Sequence, residues 1–159
     1  MKHLILFRHA KSSWEQNVND KQRDLLEIGV ERTRKSAAQL KVDLPFEPQN
    51  WFSSPAVRAR KTAEIAAEYF TSPSVQFDED LYTFSFFDLL KTIKNFDNGF
   101  DSAIVFGHNE AFTEFVSRMG NQYINNLPTS GIAWIEFDTD QWSLIEKGNT
   151  RLIIRPKNL

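Results

Sequence analysis

The sequence predicts an α/β fold: one domain built on a mixed, mostly parallel sheet with helices on both faces. Three observations lead there. Apolar runs of strand length alternate with segments of helical period. The last apolar segments read as antiparallel neighbours, which makes the sheet mixed. The chain has 159 residues, the length of a single hydrophobic core with little room for a second domain, so residues 1–159 are read as one unit.

Each element follows from its pattern. Residues 4–7 (Leu-Ile-Leu-Phe) form a compact apolar run, the signature of a strand covered on both faces. Residues 25–40 read as a helix with a charged face. Trp51 and Phe52 mark a short second strand. Residues 55–70 give the clearest helix, because Ala59, Ala63, Ala66 and Phe70 recur on one face and allow close packing. Residues 75–77 read as a short strand and 86–96 as a helix, followed by an Asn98-Gly99 turn. Residues 103–106 are another buried-strand run. Phe112, Phe115, Val116 and Met119 make a helical stripe. Residues 132–137 alternate like a strand. Residues 142–145 and 152–154 read as a hairpin around Lys147-Gly148-Asn149. There is no repeat, linker or low-complexity tract.

Composition narrows the function classes. Hydrophobic residues make up 41% of the chain and charged residues 25%, ordinary for a globular domain. With 19 basic and 21 acidic residues the net charge is −2, so nothing points to nucleic acid. The absence of cysteine removes disulfides, thiolate nucleophiles and zinc–cysteine sites. The N-terminus lacks the pattern of a signal peptide. No run approaches the ~20 apolar residues of a membrane helix. The expectation is a cytoplasmic protein with no membrane partner, no cofactor and no metal.

Three polar clusters follow three candidate strands. Arg8-His9 follows the first, Ser53-Ser54-Pro55 the second, and Gly107-His108-Asn109 the run 103–106. In open α/β sheets, ligands bind beyond the carboxyl ends of the strands. Ser54 is expected to cap the next helix and Pro55 to open it. Arg58, one turn in, then leans back over the strand ends, with Thr62 on the same face. Arg8, Arg58 and two imidazoles would form a pocket for a small polyanion, and guanidinium forks suit phosphate. The chain has three histidines, and two lie in these clusters. A neutral imidazole is a competent nucleophile toward phosphorus, and nearby cations would keep it neutral. His9 is expected to donate one ring N–H to a backbone carbonyl and leave the other nitrogen free. Alone, each cluster has an ordinary reading as surface decoration, cap or turn; their ordered combination at three strand ends is what carries weight. His3 is read as a strand residue without a role, and Phe84, Phe86 and Phe87 as core.

These residues resemble a known family. Leu4-Ile5-Leu6-Phe7-Arg8-His9-Ala10 is similar to the Arg-His-Gly strand end of the histidine phosphatase superfamily. The run from Ser53 to Ala63 resembles its Ser-Ser-Pro-x-x-Arg-Ala-x-x-Thr-Ala motif, and Gly107-His108-Asn109 its Gly-His-Asn segment. Arg8 to Trp14, followed by Asp20-x-x-Arg23-x-Leu25 and Gly29, is nearer still to the SixA-type phosphohistidine phosphatases, as is Thr129-Ser130-Gly131. The matches span most of the chain. Two positions depart from the pattern: Ala10 replaces a glycine, and Glu110 stands where proline is common.

The resemblance implies a minimal phosphoglycerate mutase-like fold and a phosphatase that works through phosphorylated His9. Arg8, Arg58 and His108 would hold the phosphoryl oxygens, with Ser54 and Asn109 beside them. Family members supply a general acid between the second and fourth motifs; Glu79 and Asp80 lie in that region, and Glu15 is a further candidate. The stretch between Phe70 and Asp101 is too short for the helical insertions of sugar phosphatases. That favours a phosphorylated protein as substrate, such as a histidine phosphotransfer domain or a phosphocarrier. Two alternatives stand: a phosphatase of a small metabolite on the same machinery, and a non-catalytic phosphate-binding module. A nucleotide-binding domain lacks its glycine motifs here.

Overall fold

The computed structural model of the chain describes residues 1–14, 17–71 and 73–159. In chain order the elements are β1 (Lys2–Arg8), α1 (Glu27–Asp43), β2 (Asn50–Ser53), α2 (Val57–Ala67), β3 (Val75–Phe77), α3 (Phe86–Lys94), β4 (Ser102–Gly107), α4 (Ala111–Met119), β5 (Ile132–Phe137) and β6 (Asn149–Ile154). The sheet runs β3-β2-β4-β1-β5-β6. Strands β1 to β4 are mutually parallel; β5 is antiparallel to both β1 and β6.

The buried strands explain their own sequence. Along β1, Leu4 and Leu6 enter one core with Val105, Leu89, Ile93, Phe112 and Phe115, on the α3 and α4 side. Ile5 and Phe7 enter the other, with Ile104, Phe106, Ala37, Leu40, Ala63 and Ala66, on the α1 and α2 side. A strand covered on both faces needs apolar residues at every position, and the run at 4–7 supplies them. In α2, Ala59, Ala63 and Ala66 are fully buried, as a close-packed small face requires.

Register places the site. Arg8 pairs with Gly107 across β1 and β4, and Ser53 with Phe106 across β2 and β4. The three motif-bearing strands are thus neighbours, and their carboxyl ends are level.

The structure corrects three expectations. Residues 142–145 do not form a strand: Trp142–Leu144 is a 3-10 turn, and the hairpin partner of β5 is β6. Trp142 is a core plug whose indole N–H donates to the Phe100 carbonyl at 3.0 Å, so an apparent alternation records one buried ring. Helix α2 starts two residues later than expected, with Ala56 as the N-cap residue and no side-chain cap. Phe86 is core, but Phe84 and Phe87 are exposed.

Candidate active site

At the end of β1 the ladder continues into the loop: the His9 N–H donates to the Gly107 carbonyl at 3.0 Å. His9 Nδ1 lies 2.7 Å from the Ala10 carbonyl. A carbonyl only accepts, so Nδ1 carries the ring hydrogen and Nε2 keeps its lone pair. The next peptide is held by α2. The Ala10 N–H donates to Thr62 Oγ1 at 2.9 Å, and that hydroxyl donates to the Arg58 carbonyl at 2.7 Å.

His108 faces the same space; the two imidazole centroids are 5.2 Å apart. Ser54 is not the helix cap. Its hydroxyl accepts the Ala56 N–H at 3.2 Å and contacts His108 Nε2 at 2.8 Å. With the Ser54 hydrogen assigned to Nε2, the ring hydrogen of His108 sits on Nδ1.

The two guanidiniums are partly engaged. Arg8 Nη1 donates to the Leu127 carbonyl at 2.8 Å. Arg58, 1% exposed, donates Nη1 to the Asp20 carbonyl at 2.6 Å and Nη2 to the Asp20 carboxylate at 2.9 Å. Among the described residues, four buried side-chain polar atoms lack a hydrogen-bond partner: Arg8 Nε, Arg58 Nε, His108 Nδ1 and Ser36 Oγ. The residues bearing the first three line one cavity of about 670 Å³ together with His9. Buried polar groups are normally satisfied, so unpaired nitrogens on two guanidiniums and an imidazole that line one cavity point to an anionic ligand.

Both rings are neutral. Burial, reinforced by Arg58, Arg8 and Arg23 against the Ala10 hydrogen bond, lowers His9 to about 3. Burial, followed by His9 and Arg58, lowers His108 to about 2. Asp20 moves the other way in charge: burial opposes its ionisation, but hydrogen bonds from Tyr82, Arg58 and Arg23 outweigh it and hold the carboxyl at about 2.

Of the residues singled out from sequence, the structure gathers Arg8, His9, Arg58, His108 and Asn109 around this cavity, with Ser54 behind His108. Asn109 is engaged at both ends of its amide: Nδ2 donates to Asn126 at 2.8 Å, and Oδ1 accepts from the Thr113 N–H at 3.1 Å and hydroxyl at 2.9 Å. Glu79 and Asp80 do not reach the cavity. They sit on the 3-10 turn Glu79–Leu81 and line a separate cavity of about 730 Å³, with Glu79 paired to Lys21 at 2.8 Å. Glu15 lies outside the described residues. Among the described residues, the carboxylate that does line the His9 cavity is Asp20. The Asp20-x-x-Arg23 motif is visible in the sequence, but its contact with Arg58 comes only from the fold. Phe84 also lines the cavity, edge-on to His108 at 5.5 Å. Among the described residues no three His, Cys, Asp or Glu side chains stand close enough together to hold a metal ion. Nor is any helix there long and apolar enough to cross a membrane.

Fold and site together define a phosphatase. The chain belongs to the histidine phosphatase superfamily (branch 1), whose family model matches residues 4–121. It is similar in fold to the protein histidine phosphatase SixA solved with tungstate, at TM-score 0.83 and 21% identity over 98% of each chain. A SixA-type protein of Agrobacterium tumefaciens matches at TM-score 0.81 and 22% identity, again over 98% of each chain. In sequence the chain is 29% identical over 150 residues to an uncharacterized chloroplastic protein of Arabidopsis thaliana, covering 87% of this chain and 68% of the relative.

Proposed function

We propose that this chain hydrolyses phosphohistidine on a protein, with His9 as the nucleophile. The observation that carries the reading is the convergence of Arg8, Arg58 and His108, each with one buried polar atom lacking a partner, on the cavity that holds neutral His9. His9 Nε2 attacks phosphorus as the bond to the substrate imidazole breaks, and water supplies the proton that the departing nitrogen takes up. The phosphorylated ring of His9 becomes cationic, and its Nδ1–H to the Ala10 carbonyl stabilises that charge. Water then displaces the phosphoryl group and regenerates His9. Arg8, Arg58 and His108, which line the cavity, hold the phosphoryl oxygens, the positioning and charge neutralisation that this chemistry mainly requires. Ser54 orients His108, and Asn109 braces the 126–127 segment beneath Arg8.

The substrate class is read from the acids that the described residues offer. Asp20, with a pKa of about 2, is ionised at neutral pH and is no proton donor. Among the described residues no other carboxylate lines the cavity. An alkoxide leaves poorly without a general acid, whereas the nitrogen of a phosphoramidate departs more readily. The partner is accordingly a phosphorylated protein, a histidine phosphotransfer domain or a phosphocarrier. Phosphate release from such a protein, beside an aryl phosphate, tests the reading in wild type and His9→Ala. A strong preference for phosphohistidine with an inactive variant supports it. Preference for the aryl phosphate moves the substrate to a small ester.

A further inference from the structure

The His9 cavity extends well beyond the three inner donors, and its outer wall is basic. Lys11 follows β1, Arg32 lies in α1, and Lys157 lies in the C-terminal 3-10 turn Pro156–Asn158; all three line the cavity. Of the nearby carboxylates among the described residues, Asp20 pairs with Arg58 and Arg23 in the cavity wall, Asp24 with Lys61 at 2.8 Å and Glu79 with Lys21, while Glu110 acts on the charge of Arg8. Arg23 sits deeper, 7% exposed. It is anchored by Ser12 at 2.7 Å and lies 3.5 Å over the ring of Trp14, which is itself 79% exposed. A chain with net charge −2 thus concentrates like charges at one mouth. Their mutual repulsion is relieved when an anion binds there.

The kind of cation decides which anion. The three outer cations come from three distant segments and bring no unpaired buried donor; those donors are on Arg8, Arg58 and His108. A second phosphate needs donors converging on one point. Exposed Lys11 and Lys157 and half-buried Arg32, carried on separate segments beside an exposed indole, suit separate carboxylates on a polypeptide, with the Trp14 ring giving it an apolar contact.

We propose that Lys11, Arg32 and Lys157, with the Trp14–Arg23 stack, form a docking subsite for glutamate and aspartate side chains around the phosphohistidine of an acidic partner protein. This rests on the phosphohistidine reading above. The subsite accelerates encounter and lowers KM but leaves the chemical step untouched.

The test uses two synthetic peptides, each carrying one phosphohistidine, flanked in one by glutamates and in the other by glutamines. Wild type and the double variant Arg32→Gln/Lys157→Gln are compared at low and high salt. At low salt, wild type should favour the glutamate peptide in kcat/KM by roughly tenfold, since each exposed pair contributes up to about fivefold. High salt should erase the preference, because screening shortens to about 3 Å at 1 M. The double variant should lose it through KM, with kcat and the glutamine peptide unchanged. Equal wild-type rates on both peptides overturn the subsite and leave the phosphatase reading standing. Hydrolysis of neither peptide overturns both. Equal rates combined with pyrophosphate inhibition that the double variant loses would assign the charges to a second phosphate instead.

Discussion

Asp20 grips Arg58 from two sides: its backbone carbonyl accepts Nη1 at 2.6 Å and its carboxylate accepts Nη2 at 2.9 Å. The same carboxylate accepts from Arg23 Nε at 3.2 Å and from the Tyr82 hydroxyl. The guanidinium is thereby fixed with Nε free, and the loop around residue 20 becomes part of the site although it carries no reacting atom. Hydrogen bonds between charged partners are the strong ones, and a donor held in place stabilises a transition state without reorganisation.

Replacing Asp20 by Asn should therefore loosen Arg58 and lower kcat by about 10- to 100-fold, the worth of a charged hydrogen bond. Because Asp20 positions and does not protonate, the loss should be the same for phosphohistidine and for aryl phosphates of rising leaving-group pKa. A loss that grows with leaving-group pKa would make Asp20 the general acid.

The buried imidazoles make the fold acid-sensitive. Folded His9 and His108 titrate at about 3 and about 2, below the ordinary imidazole value of 6.5. Above that value neither state binds a ring proton, and the rings add no pH dependence. Below it the unfolded chain takes protons that the folded chain refuses. Stability then falls between pH 6.5 and 3 by as much as about 1.4 kcal/mol per pH unit for each ring. Asp20, depressed from 3.8 to about 2, adds a loss of the same sign below pH 4. Denaturant unfolding of His108→Gln should show about one proton less uptake in this window; an unchanged slope would contradict the burial of a neutral ring.

Thr62 ties the nucleophile's loop to α2. Thr62→Val keeps the shape but leaves the buried Ala10 N–H without its acceptor. The expected cost is about 1–3 kcal/mol in chemical denaturation, together with slower turnover. Wild-type stability and rate in this variant would remove Thr62 from the site's support.

Gly29 lets α1 pass against the same loop. A Cβ built there would lie 2.6 Å from the Lys11 carbonyl oxygen, 2.9 Å from its nitrogen and 3.3 Å from the Ala10 methyl. Gly29→Ala should destabilise by about 1–3 kcal/mol, as overpacking does, and disturb the chain next to His9. Because the tightest contacts are backbone, Ala10→Gly should not rescue it; full rescue would show that the methyl is the obstacle.

Much of the fold was legible because a parallel sheet covered on both faces writes its strands as unbroken apolar runs. Leu4 to Phe7 and Ala103 to Phe106 could hardly be anything else, and the clusters after them fell at one sheet edge once β2, β4 and β1 proved adjacent. The illegible parts depend on tertiary geometry. Nothing local says that Asp20 reaches 38 positions along the chain to Arg58. Glu79 and Asp80 lie in a plausible window, but their 3-10 turn places both at another cavity and pairs Glu79 with Lys21. Ser54 and Pro55 read as a helix start; Ser54 instead serves His108, and α2 begins at Val57. Trp142 alternates with its neighbours like a strand residue, yet its ring is a plug held by Phe100.

Whether His9 carries the phosphoryl group during turnover is tested most directly by rapid quenching under basic conditions. Mixed with a phosphohistidine protein and quenched within one turnover, wild type should show one phosphoryl group on His9 by mass-spectrometric mapping. The label should be acid-labile as a phosphoramidate is, and absent from His9→Ala. A full burst of phosphate release with no label on His9, or a label mapped to another residue, would contradict the account.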